Sequence, residues 1–464
     1  MSLSTLFNQK ALLALICLFF LFTRLYKITE IPSSVYWDEA SIGYNAYSIV
    51  QSGKDEWGES FPLHFRAFGE FKLPVYIYAV VIFVKIFGLN EFSVRFPAVL
   101  FSLGVVILTY LLSRKISGSS WVGLFSSFFV SISPWFFIFS RTGYEATAGL
   151  TFYFLGILLF IYKPNGKFLL FSTLGFILSA YSYNSFRIIV PLTIIALVIM
   201  EGGNIRSIFK KSLYWMVLSL ILLALSIWPI YRLYVYDAGA SRLQAVGAVN
   251  TESFLRNYIS HFSLDFFIRG DKNLRNQQSG FGQVYFPDLV LLALGLLYIV
   301  GSKSKYRFLP IALALIGPVP AAITKESPHA LRAISMAPFI CMISAMGLLQ
   351  VKKYLHQKYF VELAGGAIFL LFFLHYFINF LTAYPQQSAE AWQYGYKEIF
   401  TDPNLKSDKR EKIYISDENG QPYIFALFYL KYDPEKFRDE VIRNSVDKWG
   451  SSTVRSFDKF EFGK

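Results

Sequence analysis

Two adjacent carboxylates, Asp38 and Glu39, follow Trp37 just beyond an apolar run and precede a stretch, 40–51, that is closed by Gly53. Carboxylates at a helix start have a plain role, since an oxygen there accepts backbone N–H bonds near the positive end of the dipole. They also have a chemical one. An ionised carboxylate held at a membrane surface can take the proton from a hydroxyl nucleophile, and such general-base help is worth about 10² to 10⁴ in rate. The same region carries Glu70, Lys72 and Pro74, and Arg95 with Pro97 lies further on. A departing phosphate accumulates negative charge, which Lys72 or Arg95 would stabilise through charge-assisted hydrogen bonds. Against this stands ordinary snorkelling of interfacial cations to lipid headgroups. His329 follows Pro328 and precedes Arg332 at an expected helix start, a place suited to anion contact. No His, Cys or carboxylate cluster has the spacing of a dedicated metal site, and no glycine loop has the GxxxxGK[ST] pattern.

The elements that must hold these groups are membrane helices. The 464-residue chain is 54% hydrophobic and 19% aromatic, whereas soluble domains are roughly 45 to 50% apolar. Runs such as 121–139, 213–230 and 364–381 are long enough to cross a hydrocarbon core of about 30 Å. The net charge of +13 would raise nucleic-acid binding in a soluble protein. Here the basic residues gather in short loops between apolar runs: Arg114 and Lys115; Lys163 and Lys167; Arg206, Lys210 and Lys211; Lys303, Lys305 and Arg307; Lys352, Lys353 and Lys358. That is the positive-inside pattern, and it argues for a lipid bilayer as partner and against nucleic acid. Cys17 and Cys341 both sit in apolar runs, so neither a disulfide framework nor a cysteine zinc site is suggested. The first run follows Lys10 and lacks a small-residue cleavage site after it, which predicts a retained helix.

With the basic loops cytoplasmic, the expected spans are 11–28, 97–114, 120–140, 146–162, 168–184, 187–201, 212–232, 287–301, 308–323, 333–350 and 363–382. These make about eleven helices with the N-terminus inside. The apolar stretch 73–87 breaks this parity, carries Lys85 and starts with Pro74, so it is expected to lie along the outer interface as a juxtamembrane helix. The remaining loops then fall outside: 29 to about 95, 234–286, 324–332 and a tail 383–464. In the tail, 412–416 reads as a strand between helical stretches at 392–400 and 423–432, which suggests a small α/β domain.

The run WDEASIGYNAYSIVQSG and the following EFKLPVYIYAVVIFVKIFGLNEFSVRFPAVL resemble the opening of the GT-C polyprenyl-phosphate glycosyltransferases. This superfamily includes the protein O-mannosyltransferases and the lipid A aminoarabinose transferase. SRTGYEA at 140–146 resembles its second outer loop, with Glu145 where Asp is common. YSYNSFRIIVPL, the stretch from FFIRGDKNLRN to LLALGL, and GPVPAAITKESPHALRAISMAP resemble later blocks of its bacterial members, although Arg275 is followed by Asn276 where His is frequent. The resemblance covers residues 11 to about 350.

It implies an α-helical integral membrane protein of GT-C fold, which together with the reading of the spans and tail gives a transmembrane catalytic domain at 1–382 and a small extracytoplasmic domain at 383–464. It implies an undecaprenyl- or dolichyl-phosphate-linked sugar donor, a hydroxyl-bearing acceptor on protein, lipid or cell-envelope glycan, and inverting hexosyl or pentosyl transfer at the outer face of the plasma membrane. Asp38 would be the base, Glu39 and Glu145 supporting carboxylates, and Lys72 the contact to the donor phosphate, with Arg95, His329 and Arg332 further candidates for donor or headgroup. No cofactor is indicated by these residues, and members of the family differ in whether a divalent metal assists. The rival reading is a transporter or flippase of a lipid-linked saccharide. Transporters need ionisable groups near the bilayer midplane, whereas charges here gather at helix ends and in loops.

Overall fold

A computed structural model of the chain describes residues 8–68, 70–162, 166–202, 205–236, 247, 249–355, 360–407, 412–445 and 453–463. Lys163, Lys358 and much of 234–248 therefore lie outside the described residues. In chain order, the elements up to the first basic loop are α1 (Gln9–Leu25), α2 (Trp37–Ser52), β1 (Phe65–Ala67), β2 (Glu70–Lys72), α3 (Pro74–Phe87) and α4 (Glu91–Ser117). Next come α5 (Ser120–Ile132), α6 (Pro134–Phe137), a 3₁₀ turn (Phe139–Arg141), α7 (Ala146–Tyr162), α8 (Lys167–Ala180), α9 (Phe186–Glu201) and α10 (Ile205–Tyr236). The second half holds α11 (Thr251–Ser260), α12 (Leu264–Arg269), α13 (Phe286–Gly301), α14 (Leu309–Ile316), α15 (Val319–Ala322), α16 (Met336–Leu355) and α17 (Phe360–Thr382).

Each apolar stretch expected to span is helical. By length and composition α4, residues Ser212–Val235 of α10, and α17 can each cross a membrane unaided. The expected span 120–140 is not one helix but a pair, α5 and 134–141, bent by 62°. Pro134, which has no N–H to give to the preceding turn, accounts for the break. Within 308–323, Gly317 and Pro318 form a two-residue turn between α14 and α15 and keep right-handed helical backbone angles. The stretch 73–87 forms α3, whose 14 residues reach only about 21 Å, too short to cross. Close helix packing uses small residues: a Cβ on Gly295 of α13 would lie 2.1 Å from the Ile343 carbonyl of α16, so only glycine permits this approach.

The tail runs through α18 (Tyr384–Gln387), α19 (Tyr396–Thr401), α20 (Pro403–Ser407), β3 (Ile413–Ile415), α21 (Pro422–Leu430), α22 (Pro434–Glu440), β4 (Ile442–Arg443), β5 (Val454–Phe457) and β6 (Phe460–Phe462). Its sheet has the order β3-β6-β5-β4, with β3 parallel to β6 and the other pairs antiparallel. The apolar core of this segment is shared: Tyr423, Phe425 and Phe428 of α21 are buried in one cluster with Ala40 and Tyr44 of α2 and Tyr76 of α3. The tail thus packs onto the helix that begins with Trp37 and Asp38.

Candidate active site

The path of the chain from α1 into α2 is set by two buried arginines. Arg141 donates to the carbonyls of Thr23, Tyr26, Lys27 and Ile31. Arg95, on the first turns of α4, donates to the carbonyls of Ile28, Pro32 and Ser34 and makes a two-pronged pair with Glu39, both contacts at 3.0 Å. Carbonyl oxygens, joined at Arg95 by the Glu39 carboxylate, receive most of these guanidinium N–H groups where water is excluded, which is the condition for burying a charge. Segment 23–39 is thereby threaded across two fixed cations, and the start of α2 has one position.

Glu39 is only 2% exposed. Besides Arg95 it accepts the backbone N–H of Tyr36 at 3.2 Å and that of Gly143 at 2.7 Å. The capping role expected of Asp38 thus falls to Glu39, the third residue of α2, which reaches back to the N-cap as in a capping box. Gly143 must be glycine for this contact, because a Cβ there would sit 2.9 Å from the Val94 side chain and 3.2 Å from Oε1 of Glu39.

With Glu39 committed to the frame, Asp38 points elsewhere. Its Oδ1 accepts from Nζ of Lys72 at 2.5 Å, and Oε1 of Glu70 lies 3.5 Å from the same ammonium. Glu70 and Lys72 are two apart on β2, so strand alternation brings both to one face. The hairpin is held by antiparallel pairing of Phe65 with Lys72 and of Ala67 with Glu70. Burial alone would lower the Lys72 ammonium, but Asp38, then Glu70, then Glu145 outweigh it and hold its pKa above the usual lysine range.

Asp38, Lys72 and Glu145 line one cavity of about 40 Å³, together with Tyr144, Tyr183 and Asn184. Of the expected site residues the structure brings these three together. Glu39 and Arg95 lie beneath them as a closed ion pair and do not line the cavity. His329 lines a separate cleft, and Arg332 is paired with Glu326 at 3.1 Å and with the Thr324 hydroxyl at 2.7 Å. Neither lines the Asp38 cavity, which that segment reaches only through Leu331. Among the described residues no three His, Cys, Asp or Glu side chains are grouped to hold a metal ion.

Glu70 was noted beside Lys72 without a role of its own, and Tyr144, Tyr183, Asn184 and Arg275 lie in stretches that carry the resemblance without being assigned a role. The guanidinium of Arg275 stacks over the ring of Tyr36 at 4.0 Å, next to the head of α2. The spacing of Glu70 and Lys72 was a usable signal once a strand was recognised. Tyr183, Asn184 and Arg275 arrive from distant loops, and only the resemblance of YSYNSFRIIVPL and FFIRGDKNLRN marks their stretches.

The family model for dolichyl-phosphate-mannose-protein mannosyltransferase matches residues 72–231. No curated protein sequence matches the chain. ArnT from Cupriavidus metallidurans in the apo state superimposes with a TM-score of 0.60 at 11% identity, over 91% of this chain and 84% of that one. Its structure bound to undecaprenyl phosphate gives a TM-score of 0.57 at 11% identity, over 93% and 86%. The archaeal oligosaccharyltransferase AglB from Archaeoglobus fulgidus, in complex with an inhibitory peptide and a dolichol-phosphate, gives 0.56 at 12% identity over 92% of this chain. The chain spans 64% of the length of that oligosaccharyltransferase. The chain is thus a multi-pass membrane protein of GT-C fold that resembles the polyprenyl-phosphate-dependent glycosyltransferases, with the mannosyltransferase pattern over residues 72–231.

Proposed function

We propose that this protein is a membrane glycosyltransferase that moves a sugar from a polyprenyl-phosphate donor to an acceptor hydroxyl at the outer face of the membrane. Asp38 takes the hydroxyl proton as the acceptor oxygen forms its bond to the anomeric carbon. The bond from that carbon to the phosphate oxygen breaks, and its electron pair leaves with the prenyl phosphate beside Lys72. A single displacement of this kind inverts the anomeric centre. Glu39 and Arg95 act as positioning residues, and Glu145 supports the charge of Lys72. The 27 residues of α4 span about 40 Å, so Arg95 near the site and the basic pair Arg114 and Lys115 occupy opposite ends of one helix. That arrangement supports an outer location for the cavity if the basic ends are cytoplasmic.

The observation that carries the reading is the contact of Lys72 with Asp38 at the head of α2, a phosphate-binding cation joined to a proton acceptor within this fold. The lipid ligands of the two structural relatives, dolichol-phosphate and undecaprenyl phosphate, support the donor class. The test is native mass spectrometry of the purified full chain with undecaprenyl phosphate, followed by release of prenyl phosphate from undecaprenyl-phosphate sugars. Retention of the lipid by the parent and its loss in Lys72→Ala are expected. A protein indifferent to every prenyl-phosphate glycoside would end the proposal.

A further inference from the structure

Beside the Asp38 cavity lies a second and larger cleft of about 410 Å³, between the segment 265–276 and the segment 325–329. Its volume falls in the range of sites that hold small ligands, about 300 to 1,000 Å³. Apart from Gly270 and Pro328, every residue lining it is polar or charged, which suits a hydroxyl-rich ligand and not a prenyl chain.

The walls are tied together. Oδ2 of Asp271 accepts the Ala330 N–H at 2.7 Å and the Asn276 amide at 2.6 Å, joining the two rims. His261, buried and neutral because burial lowers its pKa to about 4, accepts the His329 N–H on Nε2 at 3.1 Å. Asn257 of α11 donates to the Thr324 carbonyl at 3.0 Å.

The charges of the cleft do not cancel. Asp271 is engaged by the donors just described, Asp265 pairs with Arg269 at 3.3 Å, and Glu326 pairs with Arg332 at 3.1 Å. Lys272 and Lys325 are both exposed and form no ion pair among the described residues. Two cations are therefore available to a ligand, and each acidic group already has partners.

The cleft also adjoins the proposed chemistry. Two residues after His329, Leu331 lines the Asp38 cavity. Four residues after Asp271, Arg275 covers Tyr36. Burial opposes the Arg275 charge, but Tyr144, Tyr36, Asp38 and Glu326 favour it, so this guanidinium senses one carboxylate from each cavity.

From this arrangement we infer that the cleft is the acceptor site and takes a sugar-sized, hydroxyl-rich group bearing a negative charge, phosphate or carboxylate, held by Lys272 and Lys325. The inference rests on the transferase reading and names the acceptor class for it. A hydroxyl of that group is presented past Leu331 to Asp38.

Ser327 lines the cleft and provides a reporter. In full-length protein with Cys17→Ala and Ser327→Cys, the rate of maleimide modification is measured with galacturonate, glucose 1-phosphate or galactose at matched ionic strength. Either anionic sugar is expected to slow modification by roughly fivefold, as attraction between exposed charges allows, and galactose much less. The stronger of the two anions identifies carboxylate or phosphate as the preferred charge. Lys272→Gln with Lys325→Gln should erase the difference between charged and neutral sugars while undecaprenyl phosphate, followed in the same preparation, is retained. Equal protection by all three sugars, or by none, overturns the acceptor assignment. Failure of the parent protein to retain undecaprenyl phosphate would instead strike the transferase reading and leave the labelling result to stand by itself.

Discussion

The Lys72 ammonium lies 2.5 Å from Oδ1 of Asp38, so the group proposed to bind phosphate and the group proposed to accept a proton neutralise one another. A donor phosphate that draws on Lys72 would loosen this pair and leave Asp38 ionised beside the incoming hydroxyl. Asp38→Asn is expected to lower transfer by about 10² to 10⁴, with thermal stability and lipid retention little changed. Turnover with a prenyl-phosphate sugar checks this, and full activity would remove Asp38 from the mechanism.

Lys72→Arg tests the cation separately. A planar guanidinium keeps the charge but not the compact ammonium geometry between Asp38 and Glu70. Partial retention of undecaprenyl phosphate is expected for Lys72→Arg and near-complete loss for Lys72→Ala. Binding that tolerates alanine would free Lys72 from the donor.

Glu39→Gln should act on the frame. Removing the carboxylate leaves Arg95 charged at 0% exposure, a loss worth about 3 to 5 kcal/mol for a buried pair. The expected readout is a lower melting temperature together with lost transfer, in contrast to Asp38→Asn, which loses transfer alone.

Glu56 couples the segment after α2 to the tail. It is buried and accepts the Tyr423 hydroxyl at 2.9 Å, with Asn45, Asp55 and Arg443 close by. Burial, only partly opposed by Tyr423 and Arg443, raises its pKa from 4.5 to about 7. A carboxyl with a raised folded pKa favours the folded state fully below pH 4.5, and this contribution fades as pH rises through 7. Glu56→Gln should therefore flatten the pH dependence of stability between those limits, by on the order of 1 to 3 kcal/mol. Melting curves across that interval, unchanged by the substitution, would contradict it.

Deleting the tail after α17 should abolish transfer while the preceding helices still insert. The deletion takes away Gln393, whose side chain accepts the Trp37 N–H at 3.0 Å, and α21, which covers α2. A truncated protein with full transfer would show that the brace is dispensable.

Much of this architecture is legible in the residues, because lipid imposes a strong length and polarity requirement on each span. The break at Pro134 follows from proline chemistry, although a continuous apolar run conceals it. At the site, Asp38, Lys72 and Glu145 were readable as charges at outer helix ends and as parts of a resemblance. The division of labour between Asp38 and Glu39 was not, because it depends on Arg95 and on the Gly143 amide, 56 and 104 residues from Glu39. His329 and Arg332 look like companions of Lys72 in the sequence, yet tertiary packing puts His329 in a different cleft and pairs Arg332 with Glu326.

The hydrogen bond from Trp37 to Gln393 closes a span of 356 residues. A ribosome must therefore deliver the chain through Gln393 before the start of α2 gains this partner. During synthesis, spans already in the bilayer would carry an α2 whose start is not yet braced.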